Sequence, residues 1–126
     1  MKFTKKYLVV FAFLFLFFGA KETFACSCAP RDQTANEDFQ KATAVFTGRV
    51  LSVQRKDNFV TVKIAVQKYW KGKVSNEIKI TTAKDSAACG FNFEVGKDYL
   101  VYATETNGKL STNICSRTAL VGVAQN

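Results

Sequence analysis

The sequence predicts a small closed β-barrel with one short helix near its N-terminus. Segments rich in β-branched and aromatic residues recur between residues 43 and 114, and polar or glycine-containing turns separate them at regular spacing. The chain has 126 residues, which fits one domain, and four cysteines that could cross-link it. We therefore predict an all-β, five-stranded barrel with two disulfides.

Residues 1–25 have the three-part pattern of a secretory signal peptide. A basic stretch begins the chain, and an apolar run follows from Tyr7 to Phe18. The small residues Thr23 and Ala25 stand three and one positions before a cut that would make Cys26 the first residue. We predict cleavage there, secretion, and no stable membrane span, because the apolar run is short. An uncleaved N-terminal anchor and a lipid-modified cysteine are the alternatives.

The mature domain would then be residues 26–126, which can bury one modest core. Its net charge would be +5 rather than +8, since four lysines and one glutamate precede it. The sequence places three lysines close together, Lys68, Lys71 and Lys73, and a solvated turn explains them better than the basic stripe of a nucleic-acid-binding protein. We predict a monomer with no nucleic-acid partner.

The helix is predicted over residues 33–42. Thr34 and Glu37 have the spacing of a capping box. Ala35, Phe39 and Ala42 recur at helical intervals, so they share one face. We expect Phe39 to be the main buried contact of this helix.

The first two strands are predicted at 44–53 and 59–70, joined by a polar turn. Gly48 inside the first strand indicates a bulge or a sharp bend, which barrel strands often need. In the second strand, apolar residues alternate with polar or small ones, which is typical of a strand with one buried face. The residues expected to point inward are Val60, Val62, Ile64 and Val66.

The remaining strands are predicted at 77–82, 98–103 and 110–114. Gly72 turns the chain before the third strand, where Ile78 and Ile80 are expected to point inward. Residues 83–97 form the longest irregular stretch. Asn107-Gly108 is a strong hairpin signal between the last two strands.

Four cysteines in an exported chain indicate two disulfides, with three possible pairings. Cys26 and Cys28 are one residue apart, and a bond between them would close a strained ring, so each should reach Cys89 or Cys115. A zinc site built from these cysteines and a redox-active CxC are the competing interpretations. The spacing lacks the paired CxxC of common structural zinc sites, and the chain has no histidine.

No catalytic constellation is recognisable. The acids Asp57, Asp85, Glu94 and Asp98 sit in or beside predicted turns, and the absence of histidine removes the commonest general base. We predict a protein that is not an enzyme and needs no cofactor. An aromatic platform for base stacking is a further alternative, although alternation with aliphatic residues favours packing; its members would be Phe59, Tyr69, Trp70, Tyr99 and Tyr102.

The predicted N-terminus has a different chemistry. A first residue whose side chain is tied in a disulfide holds its α-amine and its own carbonyl oxygen in fixed geometry. These two atoms of Cys26 can chelate a metal in a five-membered ring. A catalytic zinc keeps one position open for water, which such a pair could displace. Ser27 would then lie beside the metal, in the pocket of a protease.

The segment Cys26-Ser27-Cys28-Ala29-Pro30 at a mature N-terminus resembles the start of the tissue inhibitors of metalloproteinases. Three further motifs look like parts of the same family's N-terminal domain: Lys68-Tyr69-Trp70-Lys71-Gly72, Ala88-Cys89-Gly90-Phe91 and Asn113-Ile114-Cys115-Ser116. The resemblance covers nearly all of residues 26–118. We expect no third bridge, because the cysteines for it are missing, and no C-terminal subdomain; in this the sequence looks like the short bacterial members.

The resemblance implies an OB-fold of the netrin-like type, with bridges Cys26–Cys89 and Cys28–Cys115. It implies that the amine and carbonyl of Cys26 bind the zinc of a partner metalloprotease, with Ser27 in the primed-side pocket. The implied contact ridge comprises Cys26, Ser27, Cys28, Ala29, Pro30, Ala87 and Ala88. A netrin-like binding module without inhibitory activity, directed at a surface or matrix partner, is the alternative.

Overall fold

The computed structural model describes residues 3–16 and 25–124, which contain a mainly antiparallel sheet that closes on itself. Its strands are Ala44–Arg55 (β1), Phe59–Lys71 (β2), Glu77–Ala83 (β3), Asp98–Thr106 (β4), Lys109–Ser111 (β5) and Ala119–Leu120 (β6). They follow the order β1-β2-β3-β5-β4-β6, and β1 also pairs with β4. The first five strands thus form a closed barrel, in which only β3 and β5 run parallel, as in an OB-fold.

The barrel interior is filled by alternate residues of β1 to β4, as the period-2 pattern predicted. Val60, Val62 and Ile64 of β2 and Ile78 and Ile80 of β3 are all buried, whereas Val66 is partly buried. The largest fully buried side chains are Tyr99, Phe46, Ile64, Ile80, Val50, Val62 and Val101. The core is therefore built by residues far apart in sequence.

Gly48 lies where β1 bends, and this confirms the bulge predicted there. The pairing of β1 with β2 shifts register between Thr47 and Gly48. A Cβ atom at Gly48 would lie 2.5 Å from the Ala65 carbonyl oxygen, so the close approach of the two strands requires glycine. β1 pairs with β2 over residues 45–55 and with β4 over residues 44–49, so the bend lies where the strand has a partner on both sides.

The described residues also contain helices Phe3–Leu16 (α1), Ala35–Lys41 (α2) and Val121–Ala124 (α3), and a 3₁₀ turn at Ser86–Ala88. The predicted capping box is confirmed, with Thr34 as the N-cap of α2. The prediction for Phe39 was wrong, because its side chain is only partly buried. It lies instead beneath the Lys71 ammonium, which is 5.4 Å from the ring centre.

The fifth strand is shorter than predicted. It ends at Ser111 rather than Ile114, and residues 112–118 form turns before β6, which the sequence did not predict. The Thr112 hydroxyl donates to the Tyr102 carbonyl (3.0 Å), so the chain here follows side-chain hydrogen bonds instead of a strand ladder.

The aromatic residues do not share one environment. Tyr99 is buried and Tyr102 is partly buried, but Phe59, Tyr69 and Trp70 are exposed, so of the five only Tyr99 packs in the core. Phe59 begins β2 and Trp70 lies near its end, so these aromatics do not form one platform.

Helix α1 is apolar and its large side chains are exposed. None of the helices in the described ranges is both long and apolar enough to span a membrane. The predicted cut before Cys26 stays a prediction; Thr23 and Phe18, on its N-terminal side, lie outside the described residues.

One ion pair crosses the outer surface of the barrel from β1 to β4. The Arg49 guanidinium donates to both carboxylate oxygens of Asp98, at 2.8 and 3.0 Å, and Gln67 donates to one of them (3.3 Å). The hydrogen bond from Arg49 lowers the pKa of Asp98 below its ordinary value and raises the pKa of the guanidinium.

Candidate functional site

The N-terminal segment of the barrel domain has no secondary structure of its own between residues 25 and 34. Two disulfides fix it in place, Cys26–Cys89 and Cys28–Cys115, with Cα–Cα distances of 5.2 and 5.3 Å. Both distances lie in the usual range for disulfides. The pairing implied by the resemblance is therefore confirmed, and it links this segment to the loop after β3 and the loop after β5.

The cysteine sulfurs are close together, but they are not free to bind a metal. Those of Cys26, Cys28 and Cys115 lie within 4.8 Å of one another. All four cysteines of the chain are bridged, and a metal would need thiolates. The disulfides explain the cluster, and the alternative of a structural zinc site is wrong.

A rigid turn carries Cys89. The Asp85 side chain accepts a hydrogen bond from the Ala88 N–H (2.9 Å), and the Asp85 carbonyl accepts one from the Gly90 N–H (2.8 Å). Cys89 itself adopts the left-handed conformation, with φ of 69°. These contacts hold Ala87 and Ala88 at the surface, and the disulfide places them next to Cys26.

The second cysteine loop is fastened to the first and to the N-terminal segment. The Ile114 N–H donates to the Cys89 carbonyl (3.0 Å), so the two loops meet directly. The Arg31 guanidinium donates to the carbonyl oxygens of Cys115 and Ser116, both at 3.1 Å. The segment is thus held at its two cysteines and again at Arg31.

These contacts assemble one exposed surface, which we call the N-terminal ridge and define by residues 26–30, Ala87 and Ala88. Its members are exposed except Cys26, which is partly buried. Ser27 lies between the two bridged cysteines, so its backbone is held at both ends while its side chain faces solvent. The ridge residues are the contact residues that the resemblance implied, and their role in binding a protease stays a prediction.

Most of the chain matches a known protein family. The family model described as "Tissue inhibitor of metalloproteinase" matches residues 24–120, which is most of the chain and includes the whole barrel and the ridge. The chain belongs to the tissue inhibitor of metalloproteinase family. Proteins of this family are inhibitors rather than enzymes, which agrees with the prediction from the missing catalytic residues.

Two curated relatives are similar over much of the chain. A "Tissue inhibitor of metalloproteinase" from Drosophila melanogaster is 31% identical over 114 residues, covering 82% of this chain and 49% of the relative. An "NTR domain-containing protein" from Margaritifera margaritifera is 31% identical over 94 residues, covering 68% of this chain and 64% of the relative. The chain thus spans about half to two thirds of the length of these relatives.

Sequence reasoning missed several residues that build the ridge of this family member. Asp85 stands three residues before Ala88, a spacing typical of an N-cap, and this signal could have identified the turn. No sequence pattern identifies Arg31, because its hydrogen-bond acceptors are backbone carbonyls 84 and 85 residues away. Contacts of that kind depend on how the loops meet in the fold.

Proposed function

We propose that this protein is an exported inhibitor of zinc metalloproteases, and that cleavage after Ala25 creates its active N-terminus. In the uncleaved chain the nitrogen of Cys26 belongs to a peptide bond, and its lone pair is delocalised into the carbonyl group. Removal of residues 1–25 would convert it to an α-amine that can bind a metal. The leader pattern and the family membership support this proposal.

The observation that carries the proposal is the cross-linking of residues 26–30 onto the barrel. Both neighbours of Ser27 are bridged, so the Cys26 amine and carbonyl would have little freedom to lose when they bind. The amine and carbonyl oxygen together would displace the water from the open position of the protease zinc. A free α-amine has a pKa of about 8, so a substantial neutral fraction exists near neutral pH.

The exposed residues around Cys26 complete the proposed contact. Ser27 would enter the primed-side pocket of the protease, and Cys28, Ala29 and Pro30 would continue along its cleft. Ala87 and Ala88 are small and exposed beside the Cys26–Cys89 bridge, so they leave room for the wall of the cleft. No side chain of the inhibitor has to coordinate the metal in this scheme.

The test compares three forms of the protein against a panel of zinc metalloproteases: one that begins at Cys26, the same protein after N-acetylation, and one that begins at Ala25. Loss of an outer-shell partner of a metal ligand already costs about 10–100-fold in affinity. Because acylation removes the lone pair of the ligand itself, both modified forms should inhibit at least about 100-fold more weakly. Urea unfolding of all three forms provides the control for folding.

Two results would contradict the proposal in different ways. Full potency of the acetylated form would mean that the amine does not bind the zinc. Failure of the Cys26 form to inhibit any protease in the panel would favour a netrin-like binding module, in which the disulfides only anchor the chain. The name of the Margaritifera margaritifera relative, which mentions only the NTR domain, makes this second function worth testing.

A further inference from the structure

A partly enclosed cavity of about 250 Å³ lies under the loop that follows β3, beside the N-terminal ridge but separate from it. Its walls come from the end of β1, the start of β2 and residues 83–93. Neither the sequence patterns nor the proposed inhibition assigns it a role. Six residues define its character: the apolar Val53, Val60, Phe91 and Phe93 and the cationic Arg55 and Lys84.

The floor of the cavity is apolar and well packed. Val60 and Phe93 are buried, and the Phe93 ring contacts those of Phe91 and Tyr99, with centres 4.7 and 4.9 Å away. Tyr99 is fixed in turn, since its hydroxyl oxygen accepts a hydrogen bond from the Glu94 N–H (3.0 Å). A ring or a short alkyl chain would therefore meet a rigid apolar surface.

The loop that forms the roof of the cavity is fixed by hydrogen bonds from the backbone N–H groups of Phe91 and Gly90. The Phe91 N–H donates to the Thr82 hydroxyl (2.8 Å), and the Gly90 N–H donates to the Asp85 carbonyl (2.8 Å). The Cys26–Cys89 bridge anchors the other side of this loop. The cavity is thus preformed, and the binding of a ligand would require little ordering of the loop.

The rim carries two cations with unused hydrogen-bonding capacity. One guanidinium nitrogen of Arg55 donates to the Lys84 carbonyl (3.3 Å), and among the described contacts the remaining N–H groups and the Lys84 ammonium have no partner. Asp85 also lines the cavity, but its carboxylate caps the 3₁₀ turn through the Ala88 N–H. Two cations against one engaged carboxylate favour an anionic ligand.

The volume limits the size of that ligand. An apolar cavity of about 150 Å³ holds benzene, and drug-sized ligands occupy about 300–1,000 Å³. A space of about 250 Å³ therefore fits one ring or a short chain together with one small polar group. We propose that this cavity binds a small amphipathic carboxylate, with its apolar part on Phe91 and Phe93 and its carboxylate on Arg55 and Lys84.

The test titrates phenylpropionate, or its uncharged analogue phenylpropanol, into the oxidised protein. Binding is monitored through the chemical shifts of the backbone amides. Phenylpropionate should bind saturably, shift the amides of Gly90, Phe91 and Lys84, and bind about tenfold more tightly than the alcohol, because charge-assisted hydrogen bonds are the stronger ones. The readout is binding alone, so its result does not depend on whether the protein inhibits a protease.

Matched variants test separately whether the rim charges and the shape of the cavity determine binding. The pair Arg55→Gln and Lys84→Gln should weaken phenylpropionate about tenfold and leave the alcohol unchanged. The control pair Lys73→Gln and Lys79→Gln removes the same charge at exposed positions outside the cavity and should leave both probes unchanged. The cavity-filling change Val53→Phe should abolish both.

Three outcomes in the original protein would overturn the proposal: an absence of saturable binding, shifts confined to residues away from the cavity, and equal affinity for the two probes. Equal weakening by the control pair would also overturn it, because the effect would then come from net charge rather than from Arg55 and Lys84.

Discussion

Gly90 shows how much one residue decides in this site. A Cβ atom at this position would lie 2.1 Å from the Ala83 carbonyl oxygen and 2.8 Å from that of Asp85. Real side chains do not approach backbone atoms so closely, so only glycine lets the loop fold back onto the end of β3. The positions of Cys89 and of the cavity roof both depend on this contact.

Replacement of Gly90 by alanine should therefore destabilise the protein. The loop would have to move away from β3 against the pull of the adjacent disulfide, and we expect a loss of about 1–3 kcal/mol in the free energy of unfolding. Urea unfolding would measure it. The control is Gly122→Ala in α3, where an added Cβ meets nothing within 4 Å. An unchanged unfolding midpoint for Gly90→Ala would show that the loop tolerates the move.

At the scale of elements, α2 combines a local signal with tertiary support. The capping box of Thr34 and Glu37 marks its start, and both hydrogen bonds of the box are present. A helix of seven residues is too short to be stable alone. Arg117 pairs with Asp38 and donates to the Gln33 carbonyl (2.9 Å), and these contacts hold the helix to the loop before β6.

The two disulfides are the elements that bind the N-terminal segment to the barrel, and one can be removed without touching Cys26. The double change Cys28→Ser and Cys115→Ser opens a link between residues 87 positions apart. Loss of a native bridge that closes so long a loop typically costs about 2–5 kcal/mol. Urea unfolding should show a destabilisation of this size.

The fully reduced original protein, which lacks both bridges, serves as the reference and should be less stable than this variant. If the variant and the oxidised original protein unfold at the same urea concentration, the Cys28–Cys115 bridge contributes nothing to stability.

The strands show which secondary-structure elements the local sequence pattern predicts and which it does not. Four strands follow the predicted bounds within a few residues, because alternation of apolar residues is a local property of the sequence. The fifth was wrong beyond Ser111, although residues 110–114 look like a strand. Strand β6 was missed because its two residues gain their conformation only by pairing with Tyr99 and Leu100 of β4.

At the scale of the whole molecule, the barrel closes at two seams, the pairing of β3 with β5 and the pairing of β1 with β4. β3 and β5 pair at a single position, Thr81 with Ser111, whereas the β1–β4 seam pairs over six positions from Ala44 to Arg49. Threonine side chains complete the weak seam. The buried Thr82 hydroxyl donates to the Thr112 carbonyl (2.8 Å), and the hydroxyls of Thr112 and Thr118 lie 2.8 Å apart.

The change Thr112→Val should weaken this seam. Valine keeps the shape but removes the hydrogen bonds to the Tyr102 carbonyl and to the hydroxyls of Ser116 and Thr118, and each lost hydrogen bond costs about 0.5–1.5 kcal/mol. The free energy of unfolding in urea is the measurement. Thr106→Val at an exposed position of β4 is the matched control and should change little. Equal stability of the two variants would contradict a role for these hydroxyls in closing the barrel.

The sequence by itself determined the alternating strands, the capping box of α2 and the presence of two bridges. These features depend on the order of neighbouring residues or on the number of cysteines, and the resemblance added which cysteines pair. Only the tertiary structure decided how the barrel closes through Thr112, how Arg31 and Gly90 fix the N-terminal ridge, and where the cavity beside it lies. Those features arise where loops distant in sequence meet, and no local pattern records which loops will be neighbours.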